Sequence, residues 1–292
     1  MKKLKILFIV SIIVLGAVLF LGSDLVDIYY QFSLKLPQFE KEITGILTPE
    51  VEKQVSTPPP LRAEKEDPSA YLTRSKVIYW TNLQREEFGL PPLKENIQLN
   101  TAAAIKVGDM FQSQYFAHIS PSGEGVDDLV KIVQYEFIVI GENLALGNFK
   151  DDSALVQAWM ESPGHRENIL NPNYQEIGVA VEKGMFEGKT TWMAVQHFGL
   201  PLSACPQPDE TLQKEIKIRE SGINQLEETL NNLQIEIRNM RPKRGTLYNQ
   251  KIEEYNSLVS EYNVFIKETE ILINEYNVQV KLFNECTTDL KP

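Results

Sequence analysis

The sequence predicts an α/β domain held outside the cytoplasm, preceded by an N-terminal transmembrane helix and followed by an antiparallel two-helix coiled-coil hairpin. Three observations carry this reading. A basic N-terminus leads into a long uncharged run, helical and strand patterns interleave between residues 71 and 203, and two heptad patterns flank a Pro-Gly turn near the C-terminus.

The first element is the membrane segment. Lys2, Lys3 and Lys5 precede the run from Ile6 to Gly22, and Asp24 and Asp27 follow it. About 17 residues is at the lower edge of what spans a bilayer as a helix. Basic residues before it and acidic ones after it place the N-terminus inside and the rest outside. A cleaved signal peptide is the competing reading of residues 1–22, although Phe20 and Leu21 stand where a cleavage site needs small residues. The chain is therefore expected at the cell membrane as a single-pass protein, or secreted if the segment is removed.

Residues 23–70 read as a juxtamembrane segment and a linker. Thr57-Pro58-Pro59-Pro60 and Glu64-Lys65-Glu66-Asp67-Pro68 suggest an extended, semi-rigid spacer. The net charge of −11, with no cluster of Lys and Arg beyond the first five residues, excludes nucleic acid as a partner.

The domain itself is expected over 71–203. Thr73 can cap a helix running through Phe88, ended by Gly89 and Pro91-Pro92. A second helix is expected from Leu99 to Tyr115, where Ala104, Val107, Met110 and Phe111 recur at helical spacing, and a third from Ser153 to Glu161. Residues 177–181 and 191–198 read as strands joined by a turn containing Gly184 and Gly188. About 130 residues are enough for an independent core.

From 204 to 292 the pattern is a coiled-coil seam. Leu212, Ile216, Arg219, Ile223, Leu226, Leu230, Leu233, Ile237 and Met240 alternate in steps of four and three, and a similar series runs from Tyr248 to Phe283. Folding back at Arg241-Pro242-Lys243-Arg244-Gly245 sets Ile237 against Ile252, Leu230 against Val259 and Ile223 against Ile266. The two polar seam positions, Arg219 and Thr269, then fall in one layer, where Glu268 or Glu270 can neutralise the arginine. The tyrosines of the repeated Glu-Tyr-Asn triplets read as seam packing. Leu258, Phe265 and Leu272 form a second apolar line, pointing to docking, self-association or a protein partner. Helical indexing, corrected for an extended start, brings Cys205 to Cys286, predicting a disulfide at the hairpin base.

Chemistry based on imidazole must draw on His118, His165 and His197. Here the sequence resembles a known family. The helix with Asn82 and Arg85, Phe-Ala-His-Ile-Ser-Pro-Ser-Gly around His118, Gly-Glu-Asn-Leu-Ala around Glu142, Ser-Pro-Gly-His-Arg-Glu-Asn-Ile-Leu around His165, and Gln196-His-Phe-Gly199 follow the order of the CAP superfamily (cysteine-rich secretory proteins, antigen 5, pathogenesis-related 1) in its bacterial, SCP-domain form. The resemblance spans roughly residues 72–202. It implies an α-β-α sandwich of CAP type with a cleft lined by two His and two Glu. His118, Glu142 and His165 match that cleft, and Glu161 is the nearest candidate for the second acid, one position off the family's spacing.

Imidazole and carboxylate can hold a divalent metal such as Zn or Ca through His118, Glu142 and His165, or exchange protons without one. No helical His-Glu-x-x-His is present and no nucleophile has an obvious base, so nothing here assigns catalysis. Ser120 and Ser162 suit turns and helix ends. The expectation is a cleft that binds an unidentified ligand or a metal at the cell envelope. The alternatives are a metal-dependent hydrolase of peptides or envelope polymers, a scaffold working through the hairpin, and a purely structural polar cluster. His197 is expected to be structural, because alternation turns it to the face opposite Gln196.

Overall fold

The computed structural model describes residues 45–290. The expected membrane anchor at 1–22 and the juxtamembrane segment up to residue 44 lie outside the described residues. Among the described residues no helix is long and apolar enough to cross a membrane. The described residues form two compact units, one of residues 48–208 with 279–290 and one of residues 45–47 with 209–278.

The first unit is a three-layer α-β-α arrangement built on β4 (Phe137–Leu146), which is buried along its whole length. Its run Phe-Ile-Val-Ile-Gly-Glu-Asn-Leu-Ala-Leu lacks alternation because both faces of the strand are covered. β6 (Lys189–Pro201) pairs antiparallel with β4, and β5 (Glu176–Phe186) pairs antiparallel with β6. Short strands close the edges: β3 (Lys94–Glu95) lies parallel to β5, while β1 (Gln54–Ser56) and β2 (Leu61–Arg62) both lie parallel to β4.

Helices α1 (Arg74–Glu87), α4 (Asp152–Glu161) and α5 (Pro163–Ile169) cover one face of this sheet. Val77, Leu155, Trp159 and Ile169 pack there on Val139, Ala145, Val179, Ala194 and Phe198. Helices α2 (Ile97–Gln112) and α3 (Val126–Ile132) cover the other face. Ala103, Val107 and Met110 meet Leu144, Ala180 and Val195, and Leu99 and Val130 meet Ile140. Close approach on this side depends on Gly178, where a Cβ would come within 2.2 Å of the Leu99 backbone.

Several expectations change in detail. The proline-rich stretch is not a free spacer, because β1 and β2 add it to the sheet and Pro58 between them is buried. Thr73 occupies the N-cap of α1 without a side-chain capping bond, and its N–H donates to Asp152 Oδ1 at 2.6 Å. The β5–β6 turn is made by Glu187 and Gly188, and Gly184 lies within β5. β4, α3 and α5 carry no periodicity that their short or fully buried sequences could display.

The second unit contains α6 (Glu210–Asn239) and α7 (Thr246–Asp289), with α7 continuing into the first unit. Ile223, Leu230, Leu233 and Ile237 pack against Tyr248, Tyr255, Val259 and Tyr262 in an antiparallel hairpin. Arg219 bonds Glu268 Oε2 at 3.3 Å, while Thr269 is buried and donates to Phe265 O at 2.7 Å. The polar layer is thus satisfied internally. Leu258 and Phe265 are partly covered within the hairpin itself.

Cys205 and Cys286, both in the first unit, form a disulfide, and Cys205 and Phe283 belong to the domain's core. Cross-linking positions 81 apart constrains the unfolded chain. Replacing both cysteines by serine should lower stability by about 4 kcal/mol on the chain-entropy estimate, and by less if the denatured chain is compact. Urea unfolding of the oxidised wild type against the double variant checks this, and unchanged midpoints would contradict it.

Candidate functional site

Glu142 lies midway along β4 with no exposed surface. In the antiparallel register it stands opposite His197, and Asn143 stands opposite Gln196. Since successive side chains point to opposite faces, each sheet face receives one polar pair in an otherwise apolar layer.

On the α2 side, Glu142 Oε2 accepts from His197 Nε2 at 2.9 Å and Oε1 accepts from His118 Nδ1 at 2.7 Å. His118 arrives from the loop after α2. That loop is tied down by Lys106, buried in α2, whose Nζ donates to His118 O at 2.6 Å and to Tyr115 Oη at 3.3 Å. The other ring nitrogen of His118, Nε2, donates to Pro58 O at 2.5 Å. Carboxylate and carbonyl are both acceptors, so satisfying both contacts requires an N–H on each nitrogen of His118. His197, donating from Nε2, has Nδ1 left without a partner among the described residues.

On the other face, Asn143 Nδ2 donates to Gln196 Oε1 and to His165 O, both at 3.2 Å, and Asn168 Nδ2 donates to Asn143 Oδ1 at 3.0 Å. Gln196 in turn donates to Thr81 Oγ1 at 2.7 Å. These bonds hold α5, which carries His165. The C-terminal end of α5 is held by Arg85, a buried cation that donates to Ile169 O at 2.7 Å and Asn171 O at 2.8 Å. His165 Nδ1 lies 2.8 Å from Ser162 Oγ at the N-cap of α5, and Nε2 is buried with no partner among the described residues.

The structure therefore joins His118 and Glu142 directly. His165 makes no hydrogen bond to either: its carbonyl accepts from Asn143, its ring bonds Ser162, and it feels His118 only through its charge. Glu161 does not join the cluster: it is exposed on α4 and accepts from Gln157 Nε2 at 3.0 Å. Its place near the motif is an accident of spacing on the outer turn of the helix. His197, read from the sequence as structural, is fully buried and bonds Glu142, a pairing that sequence reasoning did not foresee. Alternation does separate it from Gln196, but Glu142 is separated from Asn143 in the same way, and the register brings the two displaced residues together. Pairing the two motifs as antiparallel strands would have found it.

Burial alone would raise the Glu142 carboxyl. The hydrogen bonds from His118 and His197, with the charges of His197 and Lys106, together outweigh it and hold the group down at about 2. His165 moves the other way for an imidazole: burial first, then the charge of His118, push it down to about 4. As for a metal, no group of three or more His, Cys, Asp or Glu converges to hold one among the described residues. Both nitrogens of His118 and both oxygens of Glu142 are already occupied by hydrogen bonds. This arrangement does not fit a resident ion.

With that geometry in hand, residues 79–198 match the sequence model of the cysteine-rich secretory protein family, CAP. Over this stretch the chain is of CAP type. Among its relatives, YkwD of Bacillus subtilis (strain 168) is 43% identical over 117 residues, 40% of this chain and 44% of YkwD. YlbC, named as a membrane protein of the same organism, is 31% identical over 111 residues, 38% of this chain and 32% of YlbC. The matched part thus spans less than half the length of either relative. Among solved structures, an extracellular protein with an SCP domain from Bacillus anthracis str. Ames is 29% identical over 43% of this chain and 39% of that one, with a TM-score of 0.37.

The depressed His165 gives the CAP domain a testable acid response. Between pH about 6.5 and about 4 the unfolded chain binds a proton that the buried ring refuses, so this residue's contribution to stability falls as pH falls through that window. The Glu142 contribution, by contrast, is complete above its unfolded value near 4.5 and is lost only as pH approaches 2. In metal-free buffer, the stability of wild type minus that of His165→Gln should rise with pH between 4 and 6.5 and then level off. Urea midpoints across pH check it, and a difference that stays constant over the window would contradict it.

Proposed function

We propose that this CAP domain is a ligand-binding domain held at the cell envelope, with His118 and His165 lining its site and Glu142 and His197 fixing His118 from behind. The observation that carries this reading is the buried, unpartnered Nε2 of His165 beside a fully engaged His–Glu–His cluster. An unsatisfied polar atom in a core costs roughly 1–3 kcal/mol, so packing alone gives no reason to keep it. A ligand able to hydrogen-bond there would offset that cost.

An envelope location is supported by the basic residues and apolar run at the N-terminus. The disulfide supports an oxidising compartment. The relative YlbC, named as a membrane protein, points the same way.

One observation favours a second reading, hydrolysis. Ser162 Oγ lies within hydrogen-bond reach of His165 Nδ1, the first requirement of an activated nucleophile. Yet a base held near 4 accepts protons poorly at neutral pH, and no acid orients its Nε2 among the described residues. Binding therefore fits these residues better than catalysis.

With only three histidines in the chain, ring 13C signals of the histidine-labelled protein can be assigned by three single substitutions. Short peptides, decanoic acid and Zn²⁺ serve as probes, added separately to the full chain in detergent. The expected result is that a metal-free probe moves the His118 and His165 signals and leaves a cooperative thermal transition at a higher temperature. Signals that none of the probes moves would sink the binding reading and leave a structural cluster.

A further inference from the structure

We infer that residues 54–62 act as an intramolecular peptide ligand of the CAP domain, and that the external ligand of the site is an extended polypeptide that replaces them on the edge of β4. This rests on the binding reading above and adds the class of ligand.

The segment sits as an added strand would. Gln54, Val55 and Ser56 run parallel to Val139, Ile140 and Gly141, and Leu61 and Arg62 run parallel to Ala145 and Leu146. Between the two pieces, the four residues Thr57 to Pro60 face only three on β4, Glu142 to Leu144. Three of the four are prolines, which have no N–H to donate to a ladder. Pairing therefore lapses opposite the functional residues. There the segment turns its backbone inward: Pro58 is buried, its carbonyl accepts from His118 Nε2, and its ring lies over Gly164, where a Cβ would come within 2.7 Å of it. A chain laid on a sheet edge, with one carbonyl taken by a side chain of the site, is the geometry of peptide recognition by strand addition.

The same contacts are few enough to be exchanged. Only five residues of the segment are paired, and Val55 is 47% exposed. Lys53–Glu136 and Arg62–Glu187 are exposed ion pairs at 3.3 and 3.8 Å, worth little in water. Leu61, partly buried against the core, and the buried Pro58 are its apolar anchors. Short strands with exposed ladders open at low free energy. Being tethered, however, the segment competes at high effective concentration and shields the site from weak ligands.

The test uses the full chain in detergent and a labelled synthetic peptide of residues 52–64. Leu61→Asp weakens one anchor of the resident segment without touching the histidine cluster. The expected result is that the peptide binds Leu61→Asp at least tenfold more tightly than wild type by fluorescence anisotropy, moves the His118 ring signal, and outcompetes a scrambled peptide. Equal affinity for the two proteins, or a His118 signal that ignores the peptide, would overturn the inference. Loss of cooperative unfolding in Leu61→Asp would also overturn it, since the segment would then be part of the core. If decanoic acid moves the His118 signal in Leu61→Asp and the peptide does not, the peptide assignment fails and the binding reading stands. If no probe moves it, both fail.

Discussion

A carboxylate buried between two imidazoles organises this domain. Removing an ionised carboxylate from water costs several kcal/mol unless charge-assisted hydrogen bonds replace its hydration. Glu142 has no exposed surface, so each of its oxygens needs a donor, and these come from His197 on the next strand and His118 on a distant loop. The β4–β6 register, the descent of the loop after α2 and the position of Lys106 beneath it all follow from that demand. A one-residue slip of β4 against β6 would set Glu142 away from His197 and leave both unpaired in apolar layers.

The opposite face repeats the solution with neutral groups. Asn143, Gln196, Asn168 and Thr81 form a chain of amide and hydroxyl bonds beneath α5, and Arg85 secures the far end of that helix through backbone carbonyls. One pair of adjacent residues in β4 thereby fixes histidines presented from both sides of the sheet. Along the edge of β4 the proline-rich segment adds a carbonyl contact with His118. Fold and site share their polar groups, so the residues that specify the register are also those that shape the chemistry.

Much of this was legible in the sequence, for physical reasons that differ by element. The hairpin was readable because its seam repeats over many turns, and even the Arg219–Glu268 contact follows from the pairing of the two series. The disulfide followed from rise per residue. His118 and Glu142 were visible through motif order. What stayed hidden were contacts set by tertiary placement. β4 is buried on both faces and so shows no alternation. His197 required the register as well as the alternation. Glu161 sits near the right motif on the wrong side of its helix. Pro58 belongs to a composition that reads as a spacer, because proline-rich chain is extended whether it crosses solvent or lies along a sheet edge.

The clamp on Glu142 is tested most directly by 15N NMR of the histidine ring nitrogens in wild type and Glu142→Gln. The account predicts that His118 Nδ1 and His197 Nε2 each carry a hydrogen-bonded proton facing Glu142 in the wild-type protein, with both signals moving when the carboxylate becomes an amide. Ring nitrogens of His118 and His197 that are indifferent to Glu142→Gln, in a protein that remains folded, would contradict it.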